Sequence, residues 1–430
     1  MSILDAMYSG VSGLTAEGDA LDVIGNNLAN TNTIGFKESR AVFENVLGAA
    51  VGSEGAIGGG VKMSTAQQIF AEGSLESTGN PTDVALSGDG FFVVQGDVAG
   101  VNGTFYTRAG QTSLNADGAL VNPDGLAFQG YAANPTGGGF STTAGPITVN
   151  TASLAPQMTT TLSVTANLSS GATPPTGAWD PQNPGTTSNF STTMQVYDSL
   201  GAAHTASVYF QNTGPGAWTY HVLANGSEVQ GGTAGQNVEI ATGNLTFNSN
   251  GSLDTNQLTS GGTVSFNGAT PNQPLTFSFG SQTSTGGTGT DGITQYGSAN
   301  AISAQNADGY ASGALSSLSI DSSGVVSGVY TNGQTIAIAQ MAVAKFQNDQ
   351  GLGQAGANCW TATPDSGSPA VGAAGTGGRA AMVSGSLESS NVDIATQFTD
   401  LIAHQRGFEA NSKTITTADQ MLQDVLAMKQ

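Results

Sequence analysis

A long glycine-rich interior lies between two stretches of helical periodicity at the extreme ends of this 430-residue chain, and no other feature limits its fold as much. From the N-terminus the apolar or small positions run Leu4, Met7, Val11, Leu14, Gly18, Leu21, Gly25 and Leu28, alternating three and four apart. That spacing is the seam of a helix that packs on another helix. The C-terminal end repeats it with Ile394, Phe398, Leu401, Gln405, Phe408, Ser412, Ile415, Asp419, Leu422 and Leu426. The polar interruptions at Gln405, Ser412 and Asp419 fit a helix that seeks a partner better than a dry zipper. At 1.5 Å per residue the two helices would be about 40 Å and about 55 Å long.

An ordinary core helix explains such stripes by default. Two details argue against it here. The helices lie outside the β-rich body, and the first carries Gly10, Gly13, Gly18 and Gly25. Each glycine costs up to ~1 kcal/mol against alanine in a helix interior, and an isolated helix so weakened should fray. Glycine is tolerable where another backbone must come close. The expectation is a pair of terminal helices that order only when copies of the chain assemble.

Between residues 70 and 385 the texture is β. A turn pattern recurs as Leu114-Asn115-Ala116-Asp117-Gly118-Ala119-Leu120, as Phe247-Asn248-Ser249-Asn250-Gly251-Ser252-Leu253 and as Ile320-Asp321-Ser322-Ser323-Gly324-Val325-Val326. Glycine after Asp, Asn or Ser between apolar residues signals a hairpin, because it supplies the positive φ of the turn. Pro123-Asp124-Gly125 and Asn332-Gly333 add further turns. A second repeat joins the ends of the body: Gly73-Ser74-Leu75-Glu76-Ser77 returns as Gly385-Ser386-Leu387-Glu388-Ser389. Both copies then run into an Asn and an Asp, which suggests paired halves of one layered structure with the middle inserted between them. Candidate breaks are Gly48 to Gly60, Gly171 to Pro184 and Gly280 to Gly292, and Gly367 to Gly378 reads as a flexible loop.

Composition narrows the function. Only nine Lys plus Arg oppose 30 Asp plus Glu, a net charge of −21. That argues against nucleic acid and anionic membrane surfaces, which reward basic patches. A lone cysteine, Cys359, excludes an internal disulfide framework. No run approaches the ~18 apolar residues of a membrane span, so no membrane insertion is expected. The first residues, MSILDAMYSGVSGL, lack the basic start and apolar core of a secretory signal.

Catalytic chemistry is equally hard to find. His204, His221 and His404 lie far apart without metal-ligand spacing, and no Ser-His-Asp constellation or Gly-Lys-Ser/Thr phosphate loop is visible. Gly286 to Thr294 fits one calcium-binding nonapeptide, but that architecture needs stacked copies. Cys359 beside Trp360 reads as a small buried hydrophobe, with no basic neighbour to activate it. The expectation is no enzyme, no cofactor, no catalytic residue and no metal ligand.

The ends carry a family resemblance. Residues 9 to 37, SGVSGLTAEGDALDVIGNNLANTNTIGFK, resemble the N-terminal signature of the flagellar rod and hook axial proteins. The stretch from Gly385 to Lys429 resembles their C-terminal domain, and PTDVALSGDGFFVVQ and YTRAGQTSLNADGALVNPDG resemble their shared β domain. Val196-Tyr197-Asp198-Ser199-Leu200-Gly201, the run from Asp308 to Gln334 and the run from Phe346 to Pro364 are similar to the hook branch. Rod members are generally shorter, without so large a middle.

The resemblance implies a mainly β fold with α-helical termini: coiled-coil-like terminal helices plus two or three β-rich domains, the outer inserted in the inner. The expected layout is a terminal helical domain (1–30 and 390–430) lining a tube and a connecting segment (31–71 and 380–389). An inner β domain (72–145 and 311–379) and an outer β insertion (146–310) complete it. Leu4, Met7, Val11, Leu14, Leu21, Leu28, Ile394, Phe398, Leu401, Phe408, Ile415, Leu422 and Leu426 would form the subunit interface. The implied partners are further copies of the chain, the flagellar rod, hook cap and hook–filament junction proteins, and the flagellar type III export apparatus. Export would proceed without a cleaved signal to the outside of the cell. Phe43 and Leu47 match the Phe-x-x-x-apolar motif thought to engage the export gate; on a helix they would be a plain i, i+4 apolar pair. The alternatives are a distal rod protein of the same family and a secreted calcium-binding β protein.

Overall fold

The computed structural model describes residues 3–47, 58–134, 138–150 and 153–428. As expected, the fold is mainly β with a helix at each end: α1 (Ile3–Ala29) and α2 (Ile394–Ala427). Most of the candidate break from Gly48 to Gly60, and the side chains of Leu4 and Leu47, lie outside the described residues. The chain divides into two compact units, one of Met1–Thr151, Ser317–Val329 and Thr335–Gln430, the other of Ala152–Ser316 and Tyr330–Gln334.

In the first unit, Phe91–Val98 pairs antiparallel with Val101–Thr107 and with Ala127–Ala132, and Thr335–Lys345 pairs with both Phe91–Val98 and Ala127–Ala132. The run Phe91-Phe92-Val93-Val94 is buried without alternation, as befits a strand covered on both faces. Phe91 packs edge-on against Phe70 and Phe346 and tilted against Trp360, while Phe92 meets Phe128 edge-on. Two strands after α1 form their own hairpin: β1 (Ser39–Leu47) and β2 (Gly58–Gln68). This corrects the helical reading of Phe43 and Leu47. Phe43 sits opposite Met63 in a strand pair, a long-range partner that local i, i+4 spacing cannot reveal. The supposed loop from Gly367 to Gly378 also contains a strand, Ala370–Ala373, bonded to Thr335–Lys345.

The second unit holds a five-stranded antiparallel meander: Phe190–Tyr197, Ala203–Gly214, Ala217–Asn225, Asn237–Phe247 and Leu253–Gly261. Alternate residues such as Ala206, Val208 and Phe210 point into a core with Trp218, Tyr220, Leu245 and Phe279. The runs from Gly171 to Pro184 and Gly280 to Gly292 lie inside this unit. Trp179 stacks on His221 with centroids 3.9 Å apart, and Asp291 Oδ1 accepts bonds from the backbone and hydroxyl of Ser281.

The recurring turn is one structure. Asn115 and Asp321 each accept two backbone N–H bonds from the residues that follow, and the glycines close the turn at φ +78° (Gly118) and +79° (Gly324). The repeated pentapeptides bond to one another, antiparallel, with Leu75 opposite Glu388, Glu76 opposite Leu387 and Ser77 opposite Ser386.

Candidate subunit interface

The terminal helices pair antiparallel within the chain, and small residues let them approach. A Cβ on Gly10 would lie 3.0 Å from Ile415 Cγ1, and one on Gly13 would lie 2.7 Å from Asn411 Nδ2. On the other helix, a Cβ at Gly407 would lie 2.6 Å from Glu17 Oε1. The buried line of α1 is therefore Gly10, Gly13, Ala16, Ala20, Ile24 and Asn27. This line, buried within one chain, runs about one position before the seam that the sequence assigns to contacts between copies. Met7, Leu14, Leu21 and Leu28 flank the contact half-buried, and Val11 points outward. The reason is backbone proximity, which selects residues with little side chain and hides the stripe from a hydrophobicity reading.

α2 divides in the same manner. Leu401, Ile415 and Leu422 are half-buried, whereas Ile394, Phe398, Phe408 and Leu426 are exposed. Only Gln397 and Ala418 of this helix are buried among the described residues. Asp393 caps its first turn, accepting from the backbone of Ala395 and Thr396. The helices are thus not isolated from the body, as the glycine content had suggested: α2 packs on α1, and α1 on the β1–β2 hairpin.

Polar groups fix the register of this assembly. Asn27, fully buried, donates to Ser39 O and Gln397 Oε1 and accepts from Ser39 N, so one amide ties α1, β1 and α2 together. Glu17 Oε2 lies 2.6 Å from His404 Nδ1, and the Phe43 ring sits 6.0 Å from the same imidazole. Deeper in, Glu388 accepts from Lys37 Nζ at 2.5 Å, from Gly73 N at 2.9 Å and from Arg108 at 3.3 Å. Burial lowers the Lys37 pKa, an effect the Glu388 carboxylate opposes. Residue-by-residue reading of the sequence missed Asn27, Glu17, Lys37 and Arg108. Glu388 was marked only by the repeat that contains it.

The remaining histidines also face carboxylates, His204 those of Asp198 and Glu228 and His221 that of Glu239. Among the described residues no group of His, Cys, Asp or Glu is arranged to hold a metal ion, and no helix is long and apolar enough to cross a membrane. What the terminal arrangement can do is mechanical: it clamps both chain ends together and leaves apolar helix faces uncovered.

Comparison with known proteins gives these features a context. Four families match along the chain: "Flagella basal body rod protein" over residues 7–37 and "Flagellar hook protein FlgE/F/G D1 domain" over 85–167. "Flagellar basal body protein FlaE D2 domain" matches 167–310 and "Flagellar basal body rod FlgEFG protein C-terminal" matches 383–428. The flagellar hook protein FlgE of Escherichia coli is 35% identical over 99% of this chain and 100% of its own length. That of Treponema pallidum is 34% identical with the same coverage, and that of Salmonella typhimurium is 36% identical over 97% of this chain and 98% of its own. The crystal structure of Helicobacter pylori flagellar hook protein FlgE2 shares the fold, with TM-score 0.52 at 14% identity over 74% of this chain and 99% of that one. With identity of this level sustained from end to end, and terminal and β-domain signatures in the same order, the chain belongs to the FlgE family of flagellar hook proteins.

Proposed function

We propose that this chain is the structural subunit of the bacterial flagellar hook, self-assembling into a tube that passes torque from rod to filament. One observation carries the reading beyond the family relationship. Among the described residues the exposed large apolar side chains concentrate on the two terminal helices: Tyr8 and Val11 on α1, and Ile394, Phe398, Ile402, Phe408, Met421, Val425 and Leu426 on α2, with Met428 just beyond its end. Contiguous exposed apolar surface marks an interaction site. Burying such side chains against neighbouring copies would contribute ~1.5–3 kcal/mol for each one fully covered.

In this reading the terminal helices line the tube, the inner β domain (72–145 and 311–379) surrounds them and the outer domain (146–310) faces solvent. The seam residues from Leu4 to Leu28 and from Ile394 to Leu426 then supply the contacts between copies, which continue helically without closing. Rod, cap and junction proteins meet the two ends of the tube. The subunit leaves the cell unfolded through the flagellar type III apparatus, with Phe43 and Leu47 read before β1 forms. Outer domains with polar Ser, Thr and Asn surfaces can slide past one another, which permits bending.

Negative-stain microscopy of purified protein brought to polymerising conditions tests this. Curved tubes are expected. Straight, rigid rods would favour a distal rod protein, and absence of any polymer would overturn the proposal.

A further inference from the structure

The four glycines of α1 fall into two pairs. α2 occupies the space beside Gly10 and Gly13, but a Cβ on Gly18 or Gly25 would meet nothing within 4 Å. Glycine weakens a helix interior relative to alanine, and the folded chain makes no use of it at these two positions. They share an outward face with Val11, 49% exposed, and with Thr15 and Asp22, at spacings of four, three, four and three. Asp19 flanks that face, and among the described residues neither Asp19 nor Asp22 has a side-chain hydrogen bond or ion pair. α1 contains no Lys or Arg at all.

The outward face of α2 has the complementary character. Ile394, Phe398 and Ile402 are exposed in succession, four residues apart. Arg406 follows at the same interval, and then Lys413. Arg406 meets only Glu409 of its own helix, at 3.5 Å with both side chains largely in solvent, and Lys413 has no side-chain partner among the described residues. The contact between α1 and α2 occupies the other side of each helix, so within one copy these two faces cannot reach each other.

We propose that the outward face of α1 in one copy receives the outward face of α2 from a neighbouring copy, with Asp22 against Arg406 and Ile402 seated over Gly25. This rests on the reading of the chain as a self-assembling subunit and specifies its contact. Subunits of one polarity along a polymer present the two helices antiparallel again, as they lie within the chain. In that sense the pairing of Asp22 with Arg406 brings Ile402 opposite Gly25, to within one residue. Lys413, two turns further on, comes within side-chain reach of Asp19. The opposite charges choose the partner and its register; the missing side chains let Ile402 approach the backbone.

The test compares full-length variants by circular dichroism of the monomer and by pelleting of polymer at low ionic strength. Gly18→Leu with Gly25→Leu should keep or raise the helical signal of the monomer and raise the concentration needed for polymer at least about tenfold. Asp22→Arg should raise that concentration about tenfold, and adding Arg406→Asp should restore it to within about threefold of the parent. Polymer from the leucine variant at the parental concentration, or a charge swap that restores nothing, would overturn the proposed contact while leaving the hook reading intact. An unaltered chain that never polymerises would overturn both.

Discussion

Lys37 Nζ lies 2.5 Å from Glu388 Oε1 across 351 residues of chain, and neither side chain has exposed surface. Arg108 approaches the other carboxylate oxygen at 3.3 Å, so one anion serves two buried cations. Such a cluster is weak as a source of net stability but costly to break, because a lost partner leaves charge without compensation in a dry site. Glu388→Ala should destabilise the first unit by about 3–5 kcal/mol. In scanning calorimetry its transition should fall by several degrees while that of the second unit stays in place. Equal shifts in both transitions would contradict the assignment of the cluster to the first unit.

The helical ends were legible in the sequence because a period of three and four survives even where glycine fills the positions. The buried face was not, since Gly10, Gly13, Ala16 and Ala20 carry no hydrophobic signal and gain their role from how close α2 lies. The turns around Gly118 and Gly324 were legible for a local reason: the Asn or Asp that accepts the turn's N–H bonds lies three residues before the glycine; at Gly251 the acceptor is Asn250, directly before it. The strand at Phe43 was not legible because its partner strand begins beyond a glycine-rich run. The ion cluster stayed hidden for want of any local pattern, although the twin Gly-Ser-Leu-Glu-Ser segments pointed to the strands that deliver Glu388.

Cys359 should behave as an inert thiol. Burial, with a smaller contribution from Asp124, pushes its pKa up from 9.0 to about 11. At pH 8 iodoacetamide should label it only after denaturation. A thiol whose pKa is raised on folding favours the folded state below the unfolded value and loses that contribution as pH climbs towards the folded one. The stability of the first unit should accordingly decline between about pH 9 and 11 in the parent, and less so in Cys359→Ser. Rapid labelling of the native protein would contradict the buried site.

The C-terminal helix should be the first element to open. It spans 34 residues, yet Gln397 and Ala418 are its only buried positions among those described, and local stability follows buried contact. Trypsin is a poor probe of the contrast, because no Lys or Arg lies between Arg108 and Lys345. Chymotrypsin has sites in both regions. In dilute monomer it should cut first at Phe398 and Phe408, with Phe210, Trp218 and Tyr220 protected until the second unit unfolds. Early cleavage at Trp218 with α2 intact would reverse this order.

Assembly should depend on the exposed face of α2 far more than on the second unit. Phe398 and Ile402 are 49% and 56% exposed in the single chain, so replacing both with Asp costs the monomer little. In the proposed contact between copies the same residues would be buried, and two unpaired charges in an apolar contact carry a penalty large enough to stop growth. Export should survive if it reads the region around Phe43. The second unit offers a deletion point, since Leu154 N donates to Gly313 O at 2.7 Å and the two ends of its main segment, Ala152–Ser316, run side by side. Joining Leu154 to Gly313 through a short Gly-Ser linker should leave the first unit folded, because closely spaced ends tolerate removal of what lies between them. That truncated chain should still form tubes, with altered curvature or stiffness, whereas the Asp double variant should remain monomeric by sedimentation. Tubes from the double variant, or none from the truncation despite a folded first unit, would overturn this division of labour.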